Sequence, residues 1–371
     1  MDDTLRLLAD AAASFAKPDA ARVRALRSLP DGFDRRVWSA MAGQGWLSIL
    51  VPESAGGLGL GIDAAAVVAE RLGYAGYREP FAAIGVLASS CIAASDNAAV
   101  REPLLPRILD GSLIATVAWQ SDRGDLSIDA AGIVDTMAGF DRVLNGSARF
   151  VPVPSADALV VLARGAAGPS LYCLASGTSG LTVRNEPLAD GTAQGWLTLD
   201  AVRVTARECL ADPHTARDVL HNAIDTTLVV ASAELVGLME RVIEITLEYL
   251  RTRKQFGKAI GSFQVLQHRA VDLWIQKELS RTAVASAVRT FLDPSVSPAA
   301  RSAAASGTKA RASQAALRVC SEAIQLHGAI GFTDEYDLGL YVNRALVLSA
   351  WLGNAADHRR RYSQLESRAH A

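Results

Sequence analysis

The chain has 371 residues, half of them hydrophobic and 20% charged, with a formal net charge of −2 at pH 7. That balance excludes disordered, collagen-like and disulfide-scaffold classes and leaves room for two or three domains around real hydrophobic cores. Thirty-seven Lys and Arg against 39 Asp and Glu give no cationic excess, so nucleic acid is not an expected partner.

The first residues are acidic and then amphipathic, which is not the pattern of a secretory signal. No apolar run reaches the roughly 18 residues needed to span a bilayer. Cys91, Cys173, Cys209 and Cys320 are scattered and form no CxxC. They read as reduced packing residues, and the expected location is cytoplasmic, without membrane insertion.

Residues 1–111 read as a helical domain. Phe33, Val37, Trp38 and Met41 fall on one helical stripe that stops at Gly43 and Gly45. Residues 62–73 predict a second helix, opened by Asp63 and stopped by Gly73. Between them, residues 51–61 are rich in glycine but miss the GxGxxG spacing, and Pro52 breaks the expected strand, so they read as a structural loop. Residues 112–210 change to short β-rich runs separated by turns such as Asn145-Gly146, a small β-barrel or sandwich domain. Residues 211–371 return to helices, with long segments at 215–250, 263–292 and 297–327 punctuated by Phe256-Gly257, Pro294 and Pro298. The expected fold is mainly α with a central β-domain: a helical domain, a β-domain and a helical bundle.

Two segments carry chemistry. Around Arg253, a basic helix end runs through Phe256-Gly257 into a new helix at Gln264. Cations suit a helix C-terminus and free amides at a helix N-terminus suit an anion, so a phosphate fits between them. The second segment ends a helix at Gln325 and continues through Gly328 and Gly331, where backbone can approach a ligand closely.

In this order, residues 46–53 with Gly56, Gly57 and Gly59, residues 253–264 and residues 325–332 resemble the acyl-CoA dehydrogenase family along nearly the whole chain. The resemblance implies an N-terminal helical domain, a central β-domain and a C-terminal four-helix bundle, with FAD as cofactor. It implies that Arg253 pairs with the FAD pyrophosphate, a match to its fixed fork of donors. Phe256 then packs at the adenine end and Gln264 lies beside it, while Gln325, Gly328 and Gly331 meet the FAD of a neighbouring subunit. Ala329 stands where many relatives have glycine. In the β-domain, Gln120 is the candidate donor to the flavin pyrimidine and Phe150 its aromatic wall, whereas Pro152 lacks the N–H and hydroxyl that could reach flavin N5.

The implied reaction removes the α-proton of an acyl-CoA with a carboxylate while the β-hydride moves to FAD, leaving an enoyl-CoA. An electron-transfer-flavoprotein-like acceptor then takes the electrons. The usual base belongs to a Tyr-Glu-Gly-Thr-like tetrad, which falls here on Trp351-Leu352-Gly353-Asn354, so Leu352 replaces the acid. The alternative family position falls on Thr227, also without a carboxylate. Glu234, seven residues on and on nearly the same helical face, is the candidate base, its other reading being a buried ion pair. Asp225 reads as a helix cap. The functional expectation is an FAD-dependent acyl-CoA dehydrogenase, as a homo-oligomer or a heterotetramer with a paralogous subunit. The alternative is a non-catalytic or half-site subunit in a heterotetramer with a base-bearing paralogue. An oxygen-using flavoenzyme on the same fold stands as a third reading.

Other chemistries find little support. The histidines, His214, His221, His268, His327, His358 and His370, show no metal-ligand spacing, so no metal is expected. Ser179 lacks a GxSxG frame and reads as part of a turn. Arg359, Arg360 and Arg361 read as a solvated helix face.

Overall fold

Helix ends in this chain follow capping chemistry. The computed structural model describes residues 3–138 and 141–369; Met1, Asp2 and His370 lie outside them. Helices α1 (Asp3–Phe15) and α2 (Ala20–Leu26) lead to α3 (Arg35–Gly43), whose N-cap Asp34 accepts from the Arg36 N–H at 2.8 Å. Helix α4 (Ile62–Ala75) runs past the expected stop, and its chain reverses at Gly76, which has a φ of 74°. Gly73 therefore lies inside the helix, for a packing reason given below. An eight-residue π-helix (Phe81–Ala88), buried throughout, precedes α5 (Ser89–Ala93) and α6 (Ala98–Leu109).

The strands are β1 (Ala115–Ala118), β2 (Ile133–Ala138), β3 (Asp141–Pro152) and β4 (Ala158–Gly165), followed by β5 (Gly168–Ala175), β6 (Leu181–Pro187), β7 (Ala193–Val204) and β8 (Cys209–Ala211). They form one sheet in the order β6-β7-β3-β2-β4-β5-β8, and β1 adds parallel to β4. Alternation of inward and outward side chains gathers Ile133, Leu144, Leu159, Val161, Tyr172 and Leu197 into one core. Opposite Ala148 to Val151 the β3–β7 register slips, marking a bulge in β3.

Helix α7 (Ala216–Thr252) has 37 residues, about 55 Å at 1.5 Å per residue. Asp212 prepares its start, accepting from the His214 and Thr215 N–H groups, while Asp225 sits ten residues inside it and is buried. The expectation that Asp225 caps the helix is thus corrected, since the cap belongs upstream. A short hairpin of β9 (Lys254–Gln255) and β10 (Lys258–Ala259) leads into α8 (Gln264–Leu292). Helix α9 (Pro298–His327) opens with Ser297 as N-cap and proline at its first position, and closes at Gly328 with a φ of 66°. Its alanine-rich flank packs against α8, α10 (Leu338–Ala350) and α11 (Ala355–Ala369).

By packing, the chain forms two compact units: residues 1–25, 62–77 and 228–371 in one, residues 26–61 and 78–227 in the other. The N-terminal helices are shared between them, and α7 passes from one to the other at Leu228. In the first unit α4 crosses α7 at glycines. A Cβ on Gly237 would lie 1.7 Å from the Glu70 carbonyl oxygen, and one on Gly73 2.0 Å from that of Glu234. The second unit holds the sheet and the π-helix.

Candidate functional site

In the bundle unit, the sequence motif around Arg253 forms a hairpin at the end of α7. Arg253 continues the helix turn through its N–H to Tyr249, and its carbonyl accepts from Ile260 at 2.8 Å. Phe256 and Gly257 make the turn with φ of 53° and 79°, the left-handed pair of a tight hairpin. Phenylalanine is costly there, because a side chain on a left-handed backbone crowds its own carbonyl. It is nonetheless 89% exposed, its ring meeting the Phe263 ring edge-on with centroids 6.1 Å apart. The Lys258 ammonium lies 4.2 Å over that Phe263 ring.

The Arg253 side chain is exposed and makes no ion pair among the described residues. Gln264, also exposed, opens α8, which has no side-chain cap. An unpaired guanidinium, neighbouring lysines and an uncapped helix start together suit a diphosphate, and the exposed Phe256 ring suits a planar base. The residues present therefore fit the pyrophosphate and adenine of FAD.

The glycine turn after α9 sits at the same end of the unit. His327 stacks on Tyr249 of α7 with ring centroids 4.5 Å apart, tying the two motifs together. Burial lowers the His327 pKa, so the ring is neutral: Nδ1 donates to the Ala323 carbonyl at 2.7 Å and Nε2 accepts from the Tyr336 hydroxyl at 3.2 Å. Gln325 is exposed. Gly328 has open space where a Cβ would be, whereas a Cβ on Gly331 would press on His327 and Ile324 at 3.1 Å. Gly328 thus leaves room for a ligand, and Gly331 packs closely against its own helix. The Tyr249–His327–Tyr336 clamp was missed by sequence reasoning; its members are 78 and 9 residues apart, and no periodicity links them.

In the sheet unit, Gln120 and Phe150 both border Gly124. Phe150 sits on the β3 bulge with a φ of 59°, its ring beside Gly124, where a Cβ would come within 3.2 Å of it. The buried Gln120 amide donates to the Gly124 carbonyl at 3.2 Å, so that donor is already committed to the loop. Arg149 pairs with Glu186 at 3.1 Å and lies 5.3 Å from the Phe150 ring.

Of the candidate base positions, none carries an unengaged carboxylate. Thr227 donates its hydroxyl to the Ala223 carbonyl one turn back at 2.7 Å. Leu352 is buried with a φ of 56°. Glu234 is 6% exposed, and its Oε1 accepts from Nε and Nη2 of Arg344 at 2.9 and 2.7 Å. Arg344, 110 residues away, gave no signal in the sequence. The Asp and Glu, Cys and His of the described residues form no group of three able to hold a metal ion, and no described helix is long and apolar enough to cross a membrane.

Comparisons with known proteins agree with this architecture. The acyl-CoA dehydrogenase N-terminal domain model matches residues 2–112 and the acyl-CoA dehydrogenase C-terminal domain model residues 218–364. Acyl-CoA dehydrogenase FadE27 of Mycobacterium tuberculosis is 30% identical over 345 residues, covering 91% of this chain and 90% of its own. Among solved structures, a variant of the Tcur3481-Tcur3483 steroid acyl-CoA dehydrogenase superposes with a TM-score of 0.87 at 28% identity, over 99% of both chains. The ChsE4-ChsE5 complex from Mycobacterium tuberculosis gives 0.87 at 26% identity, over 99% of this chain and 98% of that one. With two family models covering most of its length, the chain belongs to the acyl-CoA dehydrogenase family, whose cofactor is FAD.

Proposed function

We propose that this chain is one subunit of a heteromeric acyl-CoA dehydrogenase: it contributes FAD contacts and packing surface, and a paralogous subunit contributes the base. The observation that carries this reading is the state of the three base positions. Leu352 and Thr227 hold no carboxylate, and Glu234 is gripped by the Arg344 guanidinium at 2.7 Å. A general base must lie within hydrogen-bond reach of the proton it takes, and the Glu234 Oε1 is turned to Arg344 instead. Two solved relatives with paired component names, Tcur3481-Tcur3483 and ChsE4-ChsE5, support the assembly.

In this reading Arg253 neutralises the FAD pyrophosphate, Phe256 covers its adenine, and Gln264 lies alongside. Gln325, Gly328 and Gly331 border the FAD of a neighbouring subunit, while Gln120 and Phe150 shape the flavin end. FAD supplies the hydride acceptor for α,β-dehydrogenation of an acyl-CoA thioester, and an electron-transfer-flavoprotein-like protein reoxidises it.

The test is co-expression of the tagged chain with a paralogue that carries Glu in the tetrad. The expected result is a stoichiometric complex that retains FAD through purification and forms an enoyl-CoA. A chain that assembles only with itself, and turns over acyl-CoA unaided, would overturn the proposal.

A further inference from the structure

The turn that carries Leu352 is held from beneath by two buried titratable side chains. The last carbonyls of α10 and of the turn all need donors. The Val347 and Ala350 carbonyls receive the Trp351 and Gly353 N–H groups at 2.9 and 3.1 Å. Lys309 of α9, 0% exposed, donates from Nζ to the carbonyls of Leu348, Ser349 and Gly353 at 2.9, 3.3 and 3.2 Å, and to the Ser313 hydroxyl at 3.0 Å. The Leu352 carbonyl is left for His358 of α11, whose Nε2 lies 2.9 Å away. A carbonyl only accepts, so Nε2 carries the hydrogen and the ring is in that neutral tautomer. Its Nδ1 is buried and has no hydrogen-bond partner among the described residues.

The surroundings oppose a second proton on that ring. Burial first, then the positive charges of Lys309 and Arg361, hold the imidazole pKa down to about 3. Asp357, the carboxylate nearest in sequence, caps the Asn354 N–H and pairs with Arg360. The α10 helix brings one charged residue, Arg344, which is bound to Glu234. No carboxylate forms an ion pair with His358 or Lys309 among the described residues.

We propose that His358 is an acid-sensitive clasp on the 351–354 turn: the neutral ring holds the Leu352 carbonyl, and a proton gained at Nδ1, a buried atom with no acceptor among the described residues, is accommodated when the ring leaves its pocket, giving up that carbonyl and freeing the turn. The sign follows from linkage. The ring resists protonation while the turn is closed and titrates near its ordinary 6.5 once the turn opens. Protons therefore bind the open form preferentially, and the open-to-closed ratio rises about tenfold per pH unit below about 6.5. The turn holds Leu352 at the position matched to the family's usual base, so a consequence for acyl binding rests on the function proposed above.

Hydrogen exchange tests the clasp without using acyl-CoA turnover, so the two ideas fail separately. The FAD-loaded full chain is exchanged at pH 6.5, 5.5 and 4.5, and rates are corrected for the intrinsic pH dependence of amides. Corrected exchange at 351–356 is expected to rise roughly tenfold per unit on acidification, with the centre of α7 unchanged. In His358→Gln, whose amide donates but does not titrate, that rise should vanish. A pH-independent rate in the wild type would overturn the proposal, as would an equal rise in the variant or one spread over the whole bundle. The wild-type series alone decides the matter if the variant fails to fold.

Discussion

Glu234 shows how a single residue changes meaning between sequence and structure. On the helix face it has the placement of a base, but in the structure its Oε1 accepts two N–H bonds from the Arg344 guanidinium, the buried ion pair that was its other reading. Glu234→Gln should then destabilise the chain by about 3 kcal/mol, because the buried Arg344 guanidinium loses the carboxylate charge at Glu234, and Glu234→Leu combined with Arg344→Leu should recover most of the loss. Urea unfolding of the two variants measures this. A Glu234→Gln chain of unchanged stability that loses only flavin reduction would instead mark Glu234 as the base. The absence of acid at Leu352 and Thr227 was legible in the sequence because it needs only a count along the chain. The Arg344 partner was not, since a side-chain pair 110 residues apart leaves no periodic trace. Asp225 was misread for a related reason: an acid near a predicted helix start is a cap only if the start is known to within a residue, and here the helix begins after Asp212.

Whole elements were easier to read. The segments expected at 215–250, 263–292 and 297–327 are helices at Ala216–Thr252, Gln264–Leu292 and Pro298–His327, because Ser297, Pro298 and Gly328 are strong local signals. Gly73 shows where such signals mislead. Its meaning is tertiary: α4 and α7 touch backbone to backbone, and Gly73 and Gly237 remove the Cβ atoms that would keep them apart. Gly237→Ala, inside a helix where alanine is intrinsically favoured, should therefore lower stability by about 3 kcal/mol as the helices are forced apart. Thermal unfolding checks this; a Tm equal to or above that of the wild type would contradict the close crossing. The Phe256-Gly257 turn makes the complementary point, since a phenylalanine kept on a left-handed backbone and exposed to solvent suits a ligand contact better than a stable hairpin.

At the scale of the molecule, the order helices, β-strands, helices was readable from the change of hydrophobic period alone, and the family followed from a few motifs. The split into two compact units was not, because residues 62–77 join the bundle unit through packing that no local pattern announces. The central claim is that this chain binds FAD but has no base of its own. Its most direct test is the visible spectrum of the purified, FAD-loaded chain during anaerobic addition of a panel of acyl-CoA thioesters. The account predicts an oxidised flavin spectrum that persists with every thioester. Bleaching of the flavin by any of them, with the chain alone in solution, would contradict it.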